Sequence, residues 1–272
     1  MRDILMEIFG VRKPIVGMAH FLPLPGSYLY DDVRGVKGII EALINDVEAL
    51  QEGGVDGIMF CNENDRPYSF KAGSGTIATM AYAIGCIKSR IKVPFGVDTL
   101  WDPIASLSLA KATGARFVRE IFTNVYAGDM GLWLTNCNEA FIHRKLLGAE
   151  EIKLFFNINA EFSQSLAERP PSLVAKSVIM SSLPDALLIS GPTTGSVAEM
   201  SLFEEIKQAS GEVPVLANTG VTADTVDNVL NIVDGAIIGT YFKVNGITWN
   251  PVSKDRVKRV MDRVKFIREK LT

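Results

Sequence analysis

Eight short apolar runs, separated by segments with helical period, constrain the fold of this 272-residue chain more than any other feature. Each run is rich in Val, Ile and Phe and is too continuously apolar for a strand with one face in water. Such runs are typical of parallel strands buried on both faces. The runs are PIVGMAH (14–20), DGIMFC (56–61), VPFGVD (93–98), RFVREI (116–121), IKLFFNI (152–158), DALLIS (185–190), VPVLAN (213–218) and DGAIIG (234–239).

The segments between these runs have the apolar spacing and the end signals of α-helices. In the segment 36–54, four apolar residues lie on one helical face before a glycine pair ends the pattern: Ile39, Leu43, Val47 and Leu50. Further helices are predicted over 75–90, 102–114, 170–182, 197–211, 222–232 and 253–270. Eight strand–helix units of about 30 residues predict a (β/α)8 TIM barrel rather than an open sheet.

Composition limits the class of protein and of partner. The formal net charge of -3 argues against a nucleic-acid partner, and no apolar run approaches the roughly twenty residues of a membrane span. Three scattered cysteines and a charged N-terminus without an export signal predict reduced thiols and a cytoplasmic location. No linker divides the chain, so we expect one domain over 1–272, with 1–13 as a helix under the barrel. The number of subunits stays open, a homo-oligomer being one alternative.

Two neighbouring runs late in the chain finish in the same way, with a small hydroxyl residue beside a glycine. VLANTGVT (215–222) and AIIGTYFK (236–243) both do so, and SGPTTG (190–195) follows the preceding run. Glycine turns let backbone N–H groups approach a phosphate, and this fold commonly binds phosphate after its last strands. The alternative is that these residues only form turns. We predict that a small phosphorylated ligand is bound by Gly191, Thr194, Gly195, Thr219, Gly220, Gly239 and Thr240.

Four polar residues at or near predicted strand ends are candidates for catalysis: His20, Asp65, Asp98 and Arg119. Strand ends of this fold face the active site, and an imidazole can transfer protons near neutral pH. We predict that His20 moves protons with Asp65 or Asp98, and that Arg119 stabilises developing negative charge. The alternatives are a histidine bonded to backbone and a structural ion pair. Because Arg119 and Glu120 are adjacent, only one of them can point into the barrel.

Amide and carboxylate side chains after two other strands are candidates for substrate contact. Asn62 follows the second run, and Asn157 and Glu161 lie at the end of the fifth. Oxygen ligands from Asn62, Glu63 and Asp65 could instead bind a divalent metal. Acidic loop residues are more often only solvated, so no metal or other cofactor is predicted.

Motifs along nearly the whole chain resemble the BtpA (SgcQ-like) family. They are VGMAHFLPLPGS, GGVDGIMFCNENDRPY, GARFVREIFTNVYAGDMG, DALLISGPTTG, VPVLANTGVT and DGAIIGTYFKVNG. The resemblance implies a TIM barrel of the ribulose-phosphate-binding type. Some members of the family are linked to the stability of photosystem I, and others lie among sugar-uptake genes.

The chain departs from the family pattern at three strand ends. Cys61 stands where members usually have Glu, and Trp101 begins a Trp-Asp-Pro segment in place of Asn…Arg-Asn-Asp. The segment 157–162 reads Asn-Ile-Asn-Ala-Glu-Phe instead of Asp-Val-His-Val-Lys-His. The departures imply either a different substrate or a barrel that binds a ligand without the family's acid–base cluster.

Two functions from different classes remain open at this level. The first is an enzyme that performs isomerase- or lyase-type acid–base chemistry, or glycosidic-bond cleavage, on a sugar phosphate or nucleotide-derived phosphate. The alternative is a non-enzymatic assembly or stability factor for a membrane complex such as photosystem I. Segments 27–32 and 124–136 are aromatic and could contact such a partner, or could form a lid over an active site. A ligand-binding sensor is a third reading.

Overall fold

The computed structural model of the protein describes residues 3–271. Its strands are β1 Ile15–His20, β2 Gly57–Cys61, β3 Phe95–Asp98, β4 Phe117–Glu120, β5 Val125–Gly128, β6 Gly131–Leu134, β7 Lys153–Asn157, β8 Ser163–Ser165, β9 Ala186–Ile189, β10 Val215–Ala217 and β11 Gly235–Ile238. Its α-helices are α1 Ile4–Phe9, α2 Gly35–Gly53, α3 Ser74–Ile87, α4 Pro103–Thr113, α5 Cys137–Leu146, α6 Pro171–Ser182, α7 Met200–Ala209, α8 Val226–Ile232 and α9 Lys254–Glu269. Short 3-10 turns cover Lys88–Arg90, Thr240–Phe242 and Val244–Gly246.

Eight of the strands close into a barrel. Their order around it is β1-β11-β10-β9-β7-β4-β3-β2, and every neighbouring pair is parallel. Each apolar run of the sequence contributes one of these strands, so the predicted TIM barrel is confirmed. Within residues 3–271, no helix combines the length and the apolar character needed to cross a bilayer.

The strands are apolar along their whole length because both of their faces are buried. In β2, Met59 and Cys61 belong to the cluster inside the barrel, whereas Ile58 and Phe60 belong to the larger cluster between barrel and helices. Side chains alternate between these two environments with the period of two that a strand imposes. The interior is therefore filled by side chains up to the carboxyl ends of the strands.

The helix ends carry the signals that the sequence predicts. Asp102 caps α4 by accepting a hydrogen bond from the Ala105 amide at 3.1 Å, and Pro103 is the first residue of that helix. Gly54 and Gly114 end α2 and α4 in the left-handed region, with φ of 95° and 77°. These caps fix where each connection back to the barrel begins.

A small antiparallel sheet, absent from the sequence prediction, covers part of the barrel mouth. Strands β5 and β6 form a hairpin, and β8 pairs with the other edge of β5. Tyr126 and Trp133 are opposite each other in the hairpin and are both buried. The segment 124–136, treated above as a loop, is thus an ordered hairpin whose main aromatic side chains face inward.

Helix α1 packs at the amino-terminal ends of the barrel strands. The Asp3 carboxylate caps the helix, and Leu5, Ile8 and Phe9 join the interior cluster. The ring of Phe9 meets the ring of Phe117 edge-on, with 5.5 Å between centroids. Residues 1 and 2 of the segment predicted as a helix under the barrel lie outside the described residues.

Phe9→Ala should lower the free energy of unfolding by about 3 kcal/mol, because it removes a buried ring and leaves a cavity under the barrel. Phe266→Ala is the matched control, since that ring is 59% exposed on α9 and its loss should change stability by about 0.5 kcal/mol or less. Urea unfolding of both variants makes the comparison. Equal effects of the two substitutions would show that α1 does not close the barrel.

Candidate functional site

A cavity opens at the carboxyl ends of the barrel strands, where loops after seven of the eight barrel strands meet above a polar layer. It encloses about 720 Å³ of atom-free space, including its open mouth. One side is lined by glycine and threonine from the last three strand–helix connections, and the opposite side by aromatic residues. His20, Asp98, Arg119, Asn157 and Asn218 lie beneath, at or next to strand ends.

Arg119 occupies the centre of this polar layer. Its Nε donates to Asp98 Oδ2 at 2.7 Å, its Nη2 binds the same oxygen, and its Nη1 donates to Asn218 Oδ1 at 3.0 Å. Asn218 in turn donates to Ser190 Oγ at 2.8 Å. The guanidinium therefore joins β4 to β3 and to the end of β10, across the barrel.

The neighbouring acid on β4 points the other way. Glu120 accepts a hydrogen bond from Ser106 Oγ of α4 at 2.7 Å. The two adjacent charges divide between the inside and the outside of the barrel, as the strand period requires. Arg119 and Asp98, both named as catalytic candidates, thus form one buried ion pair that faces the cavity.

Two carboxyl groups meet in the cavity through a shared hydroxyl. Thr194 Oγ1 is 2.8 Å from Glu161 Oε2 and 3.3 Å from Glu63 Oε1, and it can donate its proton to either. Tyr68 Oη donates to Glu63 Oε1 at 3.2 Å. From the sequence, Glu161 is predicted only as a substrate contact and Glu63 only as a possible metal ligand, and their contact through Thr194 is not predicted.

Burial and mutual repulsion change the acidity of these two groups. Burial raises the pKa of Glu161 to about 7, the charge of Glu63 adds to the rise, and Arg119 opposes it. Burial also raises the pKa of Glu63, against the attraction of Arg119. Glu161 can therefore exist in both protonation states near neutral pH, which is what general acid–base catalysis needs.

His20 lies at the end of β1 beside the cavity. It is 8% exposed, and its Nδ1 has no hydrogen-bond partner among the described residues. Burial lowers its pKa well below the ordinary value, and the positive charges of Lys243 and Arg119 lower it further. The imidazole is therefore neutral near pH 7 and can donate or accept a hydrogen bond without carrying a charge.

The glycine and threonine side of the cavity forms a corner, which we call the glycine corner, made of Gly195, Gly220, Gly239 and Thr240. Gly195 and Gly220 have φ of 83° and 71°, which only glycine adopts without strain. Within residues 3–271, the backbone N–H groups of Gly195, Gly220 and Thr240 donate no hydrogen bond. Three donors thus remain free at one edge of the cavity.

Two of the seven predicted phosphate contacts serve the loops themselves. Thr219 Oγ1 accepts from the Gly191 amide at 2.6 Å and donates to the Ser196 carbonyl at 2.7 Å. Thr219 still lines the cavity, whereas Gly191 packs against the backbone of Ser196. The Thr219 hydroxyl and the Gly191 amide are therefore already occupied. Thr194 lines the cavity beside the corner, with its hydroxyl on the two glutamates.

Asn62 and Asp65 brace the loop after β2 and do not line the cavity. Asn62 accepts from the Leu100 amide at 2.8 Å, and Asp65 accepts from the Leu24 amide at 2.8 Å. Asn157 does line the cavity, next to Ser190. Within the described residues, no group of three or more His, Cys, Asp or Glu side chains is arranged to hold a metal ion.

The aromatic side of the cavity was anticipated only in part, since the aromatic segment 124–136 was one of two that could form a lid over an active site. It is made of Tyr68, Trp101, Trp133 and Phe162, which come from four different connections. Trp101 and Trp133 meet edge-to-face with 4.8 Å between ring centroids. The departure from the family pattern at Trp101 was a second sequence signal for this side of the cavity.

Comparison with known proteins identifies the family of this chain. The model of the BtpA family matches residues 11–266. The chain belongs to the BtpA family. The putative sgc region protein SgcQ of Escherichia coli is 43% identical over 264 residues, covering 97% of this chain and 98% of that protein. The photosystem I biogenesis protein BtpA of Synechocystis is 26% identical, covering 89% of this chain and 84% of that protein.

Solved structures share the fold of this BtpA-family chain. Phosphoribosyl anthranilate isomerase from Thermus thermophilus superimposes with a TM-score of 0.58 at 10% identity, covering 94% of this chain and 100% of that one. Thiamine phosphate pyrophosphorylase from Pyrococcus furiosus superimposes with a TM-score of 0.55 at 15% identity, covering 94% and 96%. These likenesses show the fold, a (β/α)8 barrel, as the family resemblance implied.

Glu161→Gln should change how stability depends on pH. A carboxyl whose folded pKa lies near 7, above its ordinary 4.5, stabilises the fold below about pH 4.5 and loses that contribution as the pH rises through 7. Between these limits the wild type should lose up to about 3 kcal/mol relative to the variant. Unfolding free energies measured from about pH 5 to pH 8 test this.

The control for that measurement is Glu199→Gln, at the exposed start of α7. It removes the same kind of charge far from Glu63 and should keep the wild-type pH dependence. If Glu161→Gln also follows the wild-type curve, the carboxyl pair is not coupled as the geometry indicates.

Proposed function

We propose that this protein is an enzyme that binds a small phosphorylated metabolite and performs proton-transfer chemistry on it. The observation that carries the proposal is the placement, in one cavity, of free backbone donors at the glycine corner and a glutamate that titrates near neutral pH. The first group suits a phosphate, and the second suits a general acid or base.

The glycine corner supports a phosphate site because its donors are fixed and unused. The free amides of Gly195, Gly220 and Thr240 belong to three successive connections, after β9, β10 and β11. Fixed donors bind an anion without reorganisation.

Proton transfer in the proposal belongs to Glu161, with Glu63 as its partner. The Thr194 hydroxyl lies within hydrogen-bond distance of both carboxyl groups and can donate to whichever of them is ionised. Asp98 is paired with Arg119, and Asp65 does not line the cavity, so neither is proposed as the base. His20 supplies a neutral hydrogen-bonding group, and Arg119 can stabilise negative charge that develops near the floor of the cavity.

This chemistry suits isomerisation or lyase-type cleavage of a sugar phosphate or a nucleotide-derived phosphate. In both reactions a proton moves to or from carbon or oxygen while the phosphate anchors the substrate. Both solved structures described above are named for phosphorylated compounds, which agrees with such a ligand. The second candidate, assembly of a membrane complex, is favoured by the name of the Synechocystis relative.

Gly195→Asp should strongly weaken phosphate binding. The new carboxylate would lie beside Thr240, since a Cβ at Gly195 would be 3.1 Å from Thr240 Oγ1, and it would repel an anion at the corner. Ribose 5-phosphate and inorganic phosphate should raise the melting temperature of the wild type, because a ligand of the folded state stabilises it. The variant should lose the shift, with affinity lowered by about tenfold or more.

Gly195→Asn is the matched control for this substitution. Asn and Asp have the same size and the same tolerance of a left-handed backbone, so the two variants differ mainly in charge. The proposal requires that Gly195→Asn retain the shift in part. Absence of any shift with the wild type across both probes would leave the assembly role as the better account.

A further inference from the structure

The aromatic residues of the cavity form a continuous wall opposite the glycine corner. The wall, which lines the cavity, consists of Tyr68, Trp101, Trp133 and Phe162. Phe70 supports the wall by stacking on Trp133, with 5.5 Å between ring centroids. Tyr68 lies 6.4 Å from Trp101 and 6.3 Å from Phe162, centroid to centroid. Acid–base chemistry on a simple sugar phosphate requires none of these rings, so the wall needs a separate explanation.

The ordered hairpin is what completes the wall. Trp133 on β6 is 7% exposed and reaches inward, while its strand neighbours Leu132 and Leu134 are 64% and 72% exposed. Trp133 is supported from behind by Tyr126, its cross-strand partner in β5, with 6.0 Å between centroids. The hairpin therefore positions one large flat side chain at the cavity, on a rigid support.

Trp101 contributes a polar group as well as a ring. It is 8% exposed, and its indole Nε1 has no hydrogen-bond partner among the described residues. The residue is also held at φ of 69°, which is unfavourable for a side chain of this size. A buried unpaired donor is costly, and a ligand acceptor that reached it, such as a ring nitrogen or a ring carbonyl, would offset that cost.

We infer that the substrate is a phosphosugar that carries a planar nitrogen heterocycle, with the heterocycle stacked on the aromatic wall and the phosphate at the glycine corner. This inference rests on the proposed function, because it assumes the phosphate site. The bond between sugar and heterocycle would then lie between the two sides, over Glu63 and Glu161. Trp133 is a specificity-determining residue in this arrangement.

The test uses intrinsic tryptophan fluorescence, for which the chain is well suited. Of its three tryptophans, only Trp249 lies outside the cavity, where it is 40% exposed and stacked under Arg66. In the Trp249→Phe variant, the tryptophan fluorescence comes from Trp101 and Trp133 alone. Ribonucleoside 5′-monophosphates with each of the four bases should quench this signal and bind about tenfold or more tightly than ribose 5-phosphate.

Trp133→Leu should remove most of that preference by weakening nucleoside monophosphate binding about tenfold while leaving the affinity for ribose 5-phosphate unchanged. Trp133→Phe, which keeps a ring, should restore much of it, and this rescue separates stacking from a general disturbance of the hairpin. These affinities are measured by calorimetry, since Trp133 is itself a reporter.

The outcomes distinguish the two proposals. If ribose 5-phosphate and all nucleoside monophosphates bind with equal affinity, the inference of a heterocycle is wrong, whereas the proposed phosphate site stands. The same conclusion follows if Trp133→Leu lowers the affinity for both kinds of ligand equally. No binding of any phosphorylated probe, with the free nucleosides also silent, would overturn both. Binding of nucleosides as tight as that of their monophosphates would support the aromatic wall and contradict the phosphate corner.

Discussion

The buried guanidinium of Arg119 is the interaction on which the site depends. Among the described residues that line the cavity it is the only arginine or lysine, and Asp98, Glu63 and Glu161 surround it. A charge buried on a barrel strand is tolerated only when it is paired. Arg119 pairs with Asp98 on β3 and also donates a hydrogen bond to Asn218 at the end of β10. Its positive charge also opposes the rise in the pKa of both glutamates, and the pKa of Glu161 lies at about 7.

The two sides of the cavity around Arg119 differ in the chemical groups that line them. The last three connections supply fixed backbone donors and almost no bulk, which suits an anion. The earlier connections and the hairpin supply large rings and two acids. Because the hairpin is an insertion between β4 and α5, its sequence can vary without disturbing the barrel. In the proposed arrangement, the barrel connections would bind the phosphate and the inserted hairpin would contact the remainder of the ligand.

Much of this was accessible from the sequence because it follows from local rules. The barrel followed from the continuous apolar runs, and His20, Asp98 and Arg119 were found because strand ends of this fold face one cavity. Glu63 and Glu161 were not recognised as a pair because Thr194, which joins them, is 131 and 33 residues away along the chain. The hydrogen bonds of the Thr219 hydroxyl were not predicted for a similar reason, since its partners Gly191 and Ser196 belong to the preceding connection.

Residue order alone decides which residues of this protein are strands, which are helices and which side chains emerge at the mouth, because periodicity, caps and turns act over a few positions. It also decides that glycine and hydroxyl residues cluster after the last strands. The tertiary structure decides the rest: which acids share a hydroxyl donor, which hydroxyls already have hydrogen-bond partners, and which rings face the cavity. Those properties arise from distances between distant parts of the chain and from the loss of water around them, and neither is encoded by neighbouring residues.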